Sequence, residues 1–291
     1  MAETQASSLS GTIYASIIEM AIIDYQWDEM VITPYFRQKL LTENSDTARF
    51  PRLVKSTGPT AGTPTNETTA LSTTELTTTS ATVQVGRVGI ARELTETAKE
   101  DSVIGRALWI LGFVEDAAKL YGEYFDTTAT ALFTSIANEV GATGQSLTIA
   151  TMVAAVSRQR AGKAKGPNVI SLHDNQLKQL QQAQASSAAT AWDRFYTPSG
   201  LGVAYGGVFM DAPIWASSLN PTSAGDSIGC IFVNGQAKPS ACAFAFVVKR
   251  MPSSLTESHV LMDANVWASY ARTGHGEIAD NFATAIRSVN A

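Results

Sequence analysis

Charged side chains are scarce in this chain. They make up 16% of its 291 residues, where a soluble domain ordinarily carries about a quarter. Much of the surface must therefore be neutral polar, or be covered by other protein chains. The balance is acidic, −5 at pH 7, which argues against a sequence-reading duplex binder, since those present a basic face to phosphate. Cysteine is nearly absent, with Cys230 and Cys242 alone. That excludes a disulfide-stapled scaffold and reads as two buried thiols in a reducing compartment, although geometry could still join them. Long apolar runs are missing too. Ile17–Ile23 contains Glu19 and stops at Asp24, far short of the roughly 20 residues that span a bilayer. The start, MAETQASSLSGT, lacks the basic and apolar regions of a secretory signal. A soluble protein made in the cytosol is expected.

Catalytic signatures are equally thin. His173, His259 and His275 stand far apart, with no HExxH and no cysteine beside them, so metal-ligand spacing is missing. No G-x-S-x-G occurs, which removes the nucleophile elbow. His173-Asp174 lies at a strand-to-helix corner, where Asp174 is expected to cap the helix. Gly200-Leu-Gly202 and Gly206-Gly207 lack the lysine of a phosphate loop and read as turns. Arg158, Arg160, Lys163 and Lys165 read as a solvated helix end, where positive charge is favourable. Asn66-Glu-Thr68 is a glycosylation sequon with no signal peptide to use it. No catalytic residue, cofactor or metal is expected, and the chain does not read as an enzyme.

What the chain does have is a neutral tract followed by a helix pattern. Residues 56–82 hold twelve Thr and three Ser, with no Lys or Arg between Lys55 and Arg87. Such composition favours extended backbone. Phe50–Lys55 reads as a strand and Thr82–Arg92 as its return, with Gly86 and Gly89 marking a bulge or bend. The pair makes a long two-stranded finger. From about Ser102 to Ile136, the residues Ile104, Leu108, Leu111, Val114, Ala118, Tyr121, Phe125, Ala129, Leu132 and Ile136 keep helical steps without a proline.

Elsewhere, residues 12–29 are partly helical and Met30–Pro34 reads as extended before its proline. Further on come a helix at Ile149–Arg160, a strand at Val169–Leu172 and a helix from Asp174. Strands are expected at Gly207–Ile214, Gly229–Val233, Ala243–Lys249 and Val260–Tyr270, then a turn at Gly274-His-Gly276 and a closing run, Phe282–Val289. No repeat of fixed period is present.

This order of elements resembles the major capsid proteins of tailed bacteriophages, with the Hong Kong 97-type fold. Ser80-Ala-Thr-Val-Gln-Val-Gly-Arg-Val-Gly-Ile-Ala-Arg-Glu-Leu-Thr-Glu-Thr-Ala-Lys-Glu-Asp101 is similar to the family's second E-loop strand entering its spine helix. Pro167-Asn-Val-Ile-Ser-Leu-His-Asp-Asn-Gln-Leu177 resembles the strand and helix of the axial domain. Ala271-Arg-Thr-Gly-His-Gly-Glu-Ile-Ala-Asp-Asn-Phe282 resembles the closing turn of the peripheral domain. The resemblance covers most of residues 30–291 and rests on pattern rather than on an invariant signature.

It implies an α+β chain with an N-terminal arm at 1–45 and an extended two-stranded E-loop at 46–92. A peripheral-domain sheet with the spine helix takes 93–145 plus 246–291, and an α/β axial domain takes 146–245. It further implies a homo-oligomer of hexamers and pentamers in a virion capsid, assembled in the host bacterial cytoplasm. Such a shell encloses double-stranded DNA without sequence-specific binding, and the acidic balance suits a wall that does not adhere to its contents. A portal and separate scaffolding or decoration proteins are the expected partners, with no membrane and no cofactor. About 30 residues precede the shell domain, which leaves no room for a large scaffolding segment. Lys55, Glu67, Glu75, Arg87 and Arg92 are the expected inter-subunit contacts. The family's prototype cross-links an E-loop lysine to a neighbour's asparagine. Here Lys55 at the base is the finger's only lysine, so a non-covalent shell is expected. The alternatives are an encapsulin-like nanocompartment shell, another phage structural protein such as a tail or decoration protein, an adhesin, or a small α/β enzyme within 145–245.

Overall fold

The computed structural model describes residues 20–24, 30–42, 45–53, 78–95, 106–162, 166–186, 196–197, 205–259 and 264–290. In chain order the elements are β1 (Arg37–Leu40), β2 (Thr47–Leu53), β3 (Thr78–Gln84), β4 (Gly86–Thr95), α1 (Arg106–Ala131), β5 (Glu139–Val140), α2 (Ile149–Ala161) and β6 (Asn168–Leu172). They continue with α3 (Asp174–Ser186), β7 (Tyr196–Thr197), β8 (Tyr205–Phe209), β9 (Ala212–Ala216), β10 (Thr222–Ser223), β11 (Asp226–Val233), β12 (Phe244–His259), β13 (Ala264–Glu277) and β14 (Ala283–Val289). Three sheets result. One has the order β1-β12-β13-β4; the largest runs β5-β14-β11-β6-β9-β8-β7 with β10 beside β11; β2 and β3 pair alone.

Strand periodicity explains how these parts join. Along β12, Phe244, Phe246 and Val248 face one way and enter the main core beside Val114, Ala117, Tyr121 and Phe125 of α1. Ala245 and Val247 face the other way, against Ala48, Phe50, Val83 and Val85 of the finger. One strand, alternating with period two, thus carries a helix on one side and the finger on the other. Along β11, Ile228, Cys230 and Phe232 join the same main core, while Ile231 joins the core under α2 and α3 with Met152, Val156, Leu180 and Ile286. Each fully buried Phe or Ile contributes roughly 1.5–3 kcal/mol.

α1 is unbroken through Gly112 and Gly122 and closes in a 3-10 turn, Leu132–Ser135. Its 26 residues extend about 39 Å at about 1.5 Å per residue. Residues 102–105 of the expected helix lie outside the described residues, as do most of 12–29, of which 20–24 are helical and Ile22 is buried. Tyr121 donates its hydroxyl to the Ser269 carbonyl at 2.7 Å, fastening α1 to β13.

Several expectations need correction. The return strand of the finger is Thr78–Gln84, in register from Thr47↔Gln84 to Leu53↔Thr78. Gly86–Thr95 leaves the finger and pairs with β13 instead. Gly274-His-Gly276 is no turn but lies within β13, and β12 runs on past Pro252. Gly207–Ile214 is two strands around Met210 and Asp211, whose φ values of 49° and 68° make the tight turn of a hairpin. Met30–Pro34 does not stay extended, because Thr33–Tyr35 form a 3-10 turn with Pro34 near its start, where no N–H is needed. The helix after β6 is capped by His173 rather than Asp174: His173 Nδ1 accepts from Asn175 N at 3.2 Å, and Gln176 Oε1 accepts from His173 N at 3.0 Å. Cys230 and Cys242 are free and buried, in different cores.

Candidate functional site

The root of the finger is held by a backbone hydrogen bond, an ion group and two close glycine contacts. β3 hands over to β4 at Val85, whose N–H donates to the Asp46 carbonyl at 2.8 Å. The Asp46 carboxylate accepts from Lys249 Nζ of β12 at 2.6 Å and from an Arg272 Nη of β13 at 2.7 Å. Lys249 also donates to Ser45 O at 3.1 Å. The hydrogen bond from Lys249 holds the Asp46 carboxyl below its usual range, outweighing its partial desolvation, and the Arg272 charge helps. The finger then crosses β13 at closest backbone approach. A Cβ on Gly274 would stand 2.1 Å from Gln84 O, and one on Gly276 2.5 Å from Val83 Cγ2. These two glycines set the crossing, which is why they fall mid-strand.

Further out, Arg37 and Lys39 of β1 lie over the buried Phe50 ring, each 5.3 Å from its centre. Arg52 of β2 donates to Ile278 O at 3.2 Å. Of the five expected contact residues, the structure places two. The Arg87 guanidinium stacks 4.1 Å from the Tyr270 ring centre, and a Cβ on Gly89 would meet that ring at 2.5 Å. Arg92 binds Asp116 of α1 through Nε at 3.0 Å and Nη2 at 2.7 Å, with both side chains about half exposed. Arg87 and Arg92 lie on opposite faces of β4, not in one cluster. Lys55, Glu67 and Glu75 lie outside the described residues, with the rest of 54–77.

A second fastening is invisible in the residue classes considered above. Asp126, buried within α1, accepts from Val31 N at 2.6 Å, Thr33 N at 2.9 Å and Thr33 Oγ1 at 2.8 Å, with Ile32 N at 3.3 Å. It clamps the chain entering β1 onto the helix. Thr130, one turn on, donates to Leu219 O at 2.9 Å. The signal available was a buried small-polar stripe, Gly122, Asp126 and Thr130, at steps of four beside the apolar one.

His173 caps α3, and burial lowers it from its ordinary range. His275 stacks on Phe246 at 4.6 Å, and burial pushes it down to about 3. Among the described residues no group of three or more His, Cys, Asp or Glu could hold a metal ion. No helix among them is long and apolar enough to cross a membrane. Among the described residues, the exposed large apolar side chains are Met20, Leu40 of β1, Leu255 of β12, and Leu120 and Tyr124 of α1.

No protein-family model and no curated protein sequence matches the chain. Solved structures do. The mature capsid of bacteriophage PhiM1 matches at TM-score 0.61 and 10% identity, over 90% of this chain and 88% of that one. A virus-like particle from Pyrococcus furiosus matches at 0.62 and 8%, over 94% and 99%. The SrpI encapsulin of Synechococcus elongatus matches at 0.63 and 9%, over 89% of each chain. Structures of Mycobacterium phage Che8 and of the capsid of cyanophage P-SCSP1u match at TM-score 0.58. Sheet order, finger and long helix thus converge on one architecture over nearly the full length of both partners: the chain has the Hong Kong 97-type capsid fold.

Proposed function

We propose that this chain is a major capsid protein that self-assembles into the icosahedral shell enclosing the double-stranded DNA of a tailed phage. The observation that carries the reading is the finger root. Asp46, Gly274 and Gly276 fix the direction in which β2 and β3 leave the subunit, and a fastened root is useful only if something beyond it is gripped. Hexamers and pentamers repeat each such grip around the shell, so many modest contacts sum to a stable lattice. Lys55, Glu67, Glu75, Arg87 and Arg92 supply polar contacts to the neighbour. The exposed Leu40, Leu120, Tyr124 and Leu255 supply apolar area for it to cover. The division into arm 1–45, finger 46–92, peripheral domain 93–145 plus 246–291 and axial domain 146–245 belongs to the same proposal, as do a portal, separate scaffolding or decoration proteins and assembly in a bacterial cytoplasm. The work is geometric, and no chemistry is assigned to it.

Negative-stain microscopy of the purified chain after gel filtration tests this. Shells, tubes or capsomer rings are expected from the intact chain, alone or with a scaffolding partner. Deleting residues 58–76 leaves every β2–β3 pair in place and should give folded subunits that do not close. Normal particles from the deletion would remove the finger from the mechanism. An encapsulin-like compartment is the second reading, favoured by a TM-score no lower than those of the phage shells. The contents separate the two: DNA packed through a portal in one, an encapsulated protein in the other.

A further inference from the structure

The turn from β13 into β14 is tied to several distant parts of the subunit. Arg52 of the finger donates to Ile278 O at 3.2 Å. Ser135, closing α1, reaches Glu277 Oε2 at 2.8 Å. Asn138 Nδ2 donates to Asp280 O at 3.2 Å, and Gln159 Nε2 of α2 to Phe282 O at 3.3 Å. The N–H groups of Ile278 and Ala279 both donate to Ala243 O, just before β12. Finger, long helix and both larger sheets therefore meet on residues 277–282.

Protons at this junction do not balance when both carboxyls are ionised. Ser135 has a single hydroxyl proton but two acceptors in reach, Glu277 Oε2 and Leu132 O, each at 2.8 Å. Asp280 Oδ1 is buried and has no hydrogen-bond partner. A buried acceptor without a donor is costly, and two adjacent carboxylates add repulsion. One extra proton, carried on Glu277 and donated to Asp280, supplies the unpartnered Asp280 Oδ1 and removes the repulsion.

The other titratable or charged groups at the junction do not supply that donor. Cys230 of β11 is a thiol that burial, first of all, holds protonated. His275, two residues back on the same face of β13, is neutral above about 3. Arg52 is engaged at Ile278 O. We propose that Glu277 carries a proton that it donates to Asp280 Oδ1, that this hydrogen bond latches the turn, and that loss of the proton loosens the junction of finger, helix and sheets. In agreement, the Glu277 carboxyl is pushed up from 4.5 to about 7, first by burial and then by the Asp280 carboxyl beside it. Because the folded state holds the proton more tightly, the latch is complete below about 4.5 and is lost as pH rises through about 7.

The latch is read on the folded full-length chain, so its failure would leave the shell proposal untouched. In E277Q the amide supplies the missing donor at every pH. Melting temperatures of wild type and E277Q, compared from about pH 5 to about pH 8.5, should diverge progressively up to about pH 7, as the wild type alone loses stability, and differ by a constant amount above it. Amide exchange in peptides covering 277–283, corrected for intrinsic rates, should rise with pH in the wild type only. A constant difference in melting temperature across the range would overturn the latch, as would the same pH-dependent exchange in both proteins. Carbon NMR of wild type labelled at glutamate carboxyls requires no variant. A glutamate titrating near 7 is expected, and a full set titrating below about 5.5 would sink the idea.

Discussion

Asp126 accepts two hydrogen bonds from Thr33, one from its backbone N–H at 2.9 Å and one from its hydroxyl at 2.8 Å. The contact spans 93 residues of sequence and fastens the segment before β1 to the middle of α1. Asp126→Ala orphans the buried N–H groups of Ile32 and Thr33, each costing about 1–3 kcal/mol if nothing replaces the carboxylate, and the half-buried one of Val31. With partial relaxation, a loss of about 3–5 kcal/mol is expected in urea unfolding, and Thr33→Val should lose only about 1 kcal/mol. Equal losses in the two variants would show that the backbone donors do not matter.

Gly274→Ala tests the crossing of the finger. The added Cβ would meet Gln84 O at 2.1 Å, and overpacking of this kind costs about 1–3 kcal/mol. The subunit should keep its circular dichroism, yet fail to form particles in the microscope, because the finger leaves at a different angle. Gly112→Ala on α1, where nothing lies within 4 Å of the added atom, is the matched control and should assemble normally.

The ion group at Asp46 makes the finger root sensitive to acid and salt. Asp46 is held below its usual range, so its contribution is present above the ordinary carboxylate value and lost as pH falls through the lowered folded one. It is exposed, and salt screens it. Limited proteolysis within residues 54–77 should accelerate in Asp46→Ala, with salt and low pH narrowing the gap to wild type. A gap that ignores salt would assign the effect to something other than charge.

His275→Phe replaces an imidazole whose Nε2 is buried without a partner among Phe36, Phe125 and Phe246. The variant should be more stable by about 1 kcal/mol at neutral pH. The gain should grow below pH 6.5, because the unfolded wild-type chain takes up a proton that the folded one refuses down to about 3. Thermal melts of both proteins at pH 7 and pH 5 measure it. This slope runs opposite to that of Glu277, so wild type alone would show a blend of the two.

Assembled particles should dissolve to monomers when boiled in denaturant with reductant. Lys55 is the only lysine of the finger, and both cysteines are free and buried. A ladder of covalent oligomers on the gel would contradict a shell held by non-covalent contacts.

The unfolded chain already carried the helical period of α1, the alternation in β11 and β12, and a neutral tract between two strands. These signals are local: each buried face repeats at the spacing of its own element, so side-chain order alone displays it. The absence of catalytic and metal-ligand spacings was equally local. Tertiary structure alone decided the rest. Val85 separates two strands that read as one, because its N–H is taken by Asp46 while the residues beyond it pair with β13. Gly274 and Gly276 read as a turn, yet they are strand residues thinned to let another strand cross. The partners of Asp126, Asp46 and Glu277 lie about 90 to 230 positions away or across a tight turn. No sequence window holds both ends of such a contact, and a carboxylate's role is set by the donors that folding brings to it.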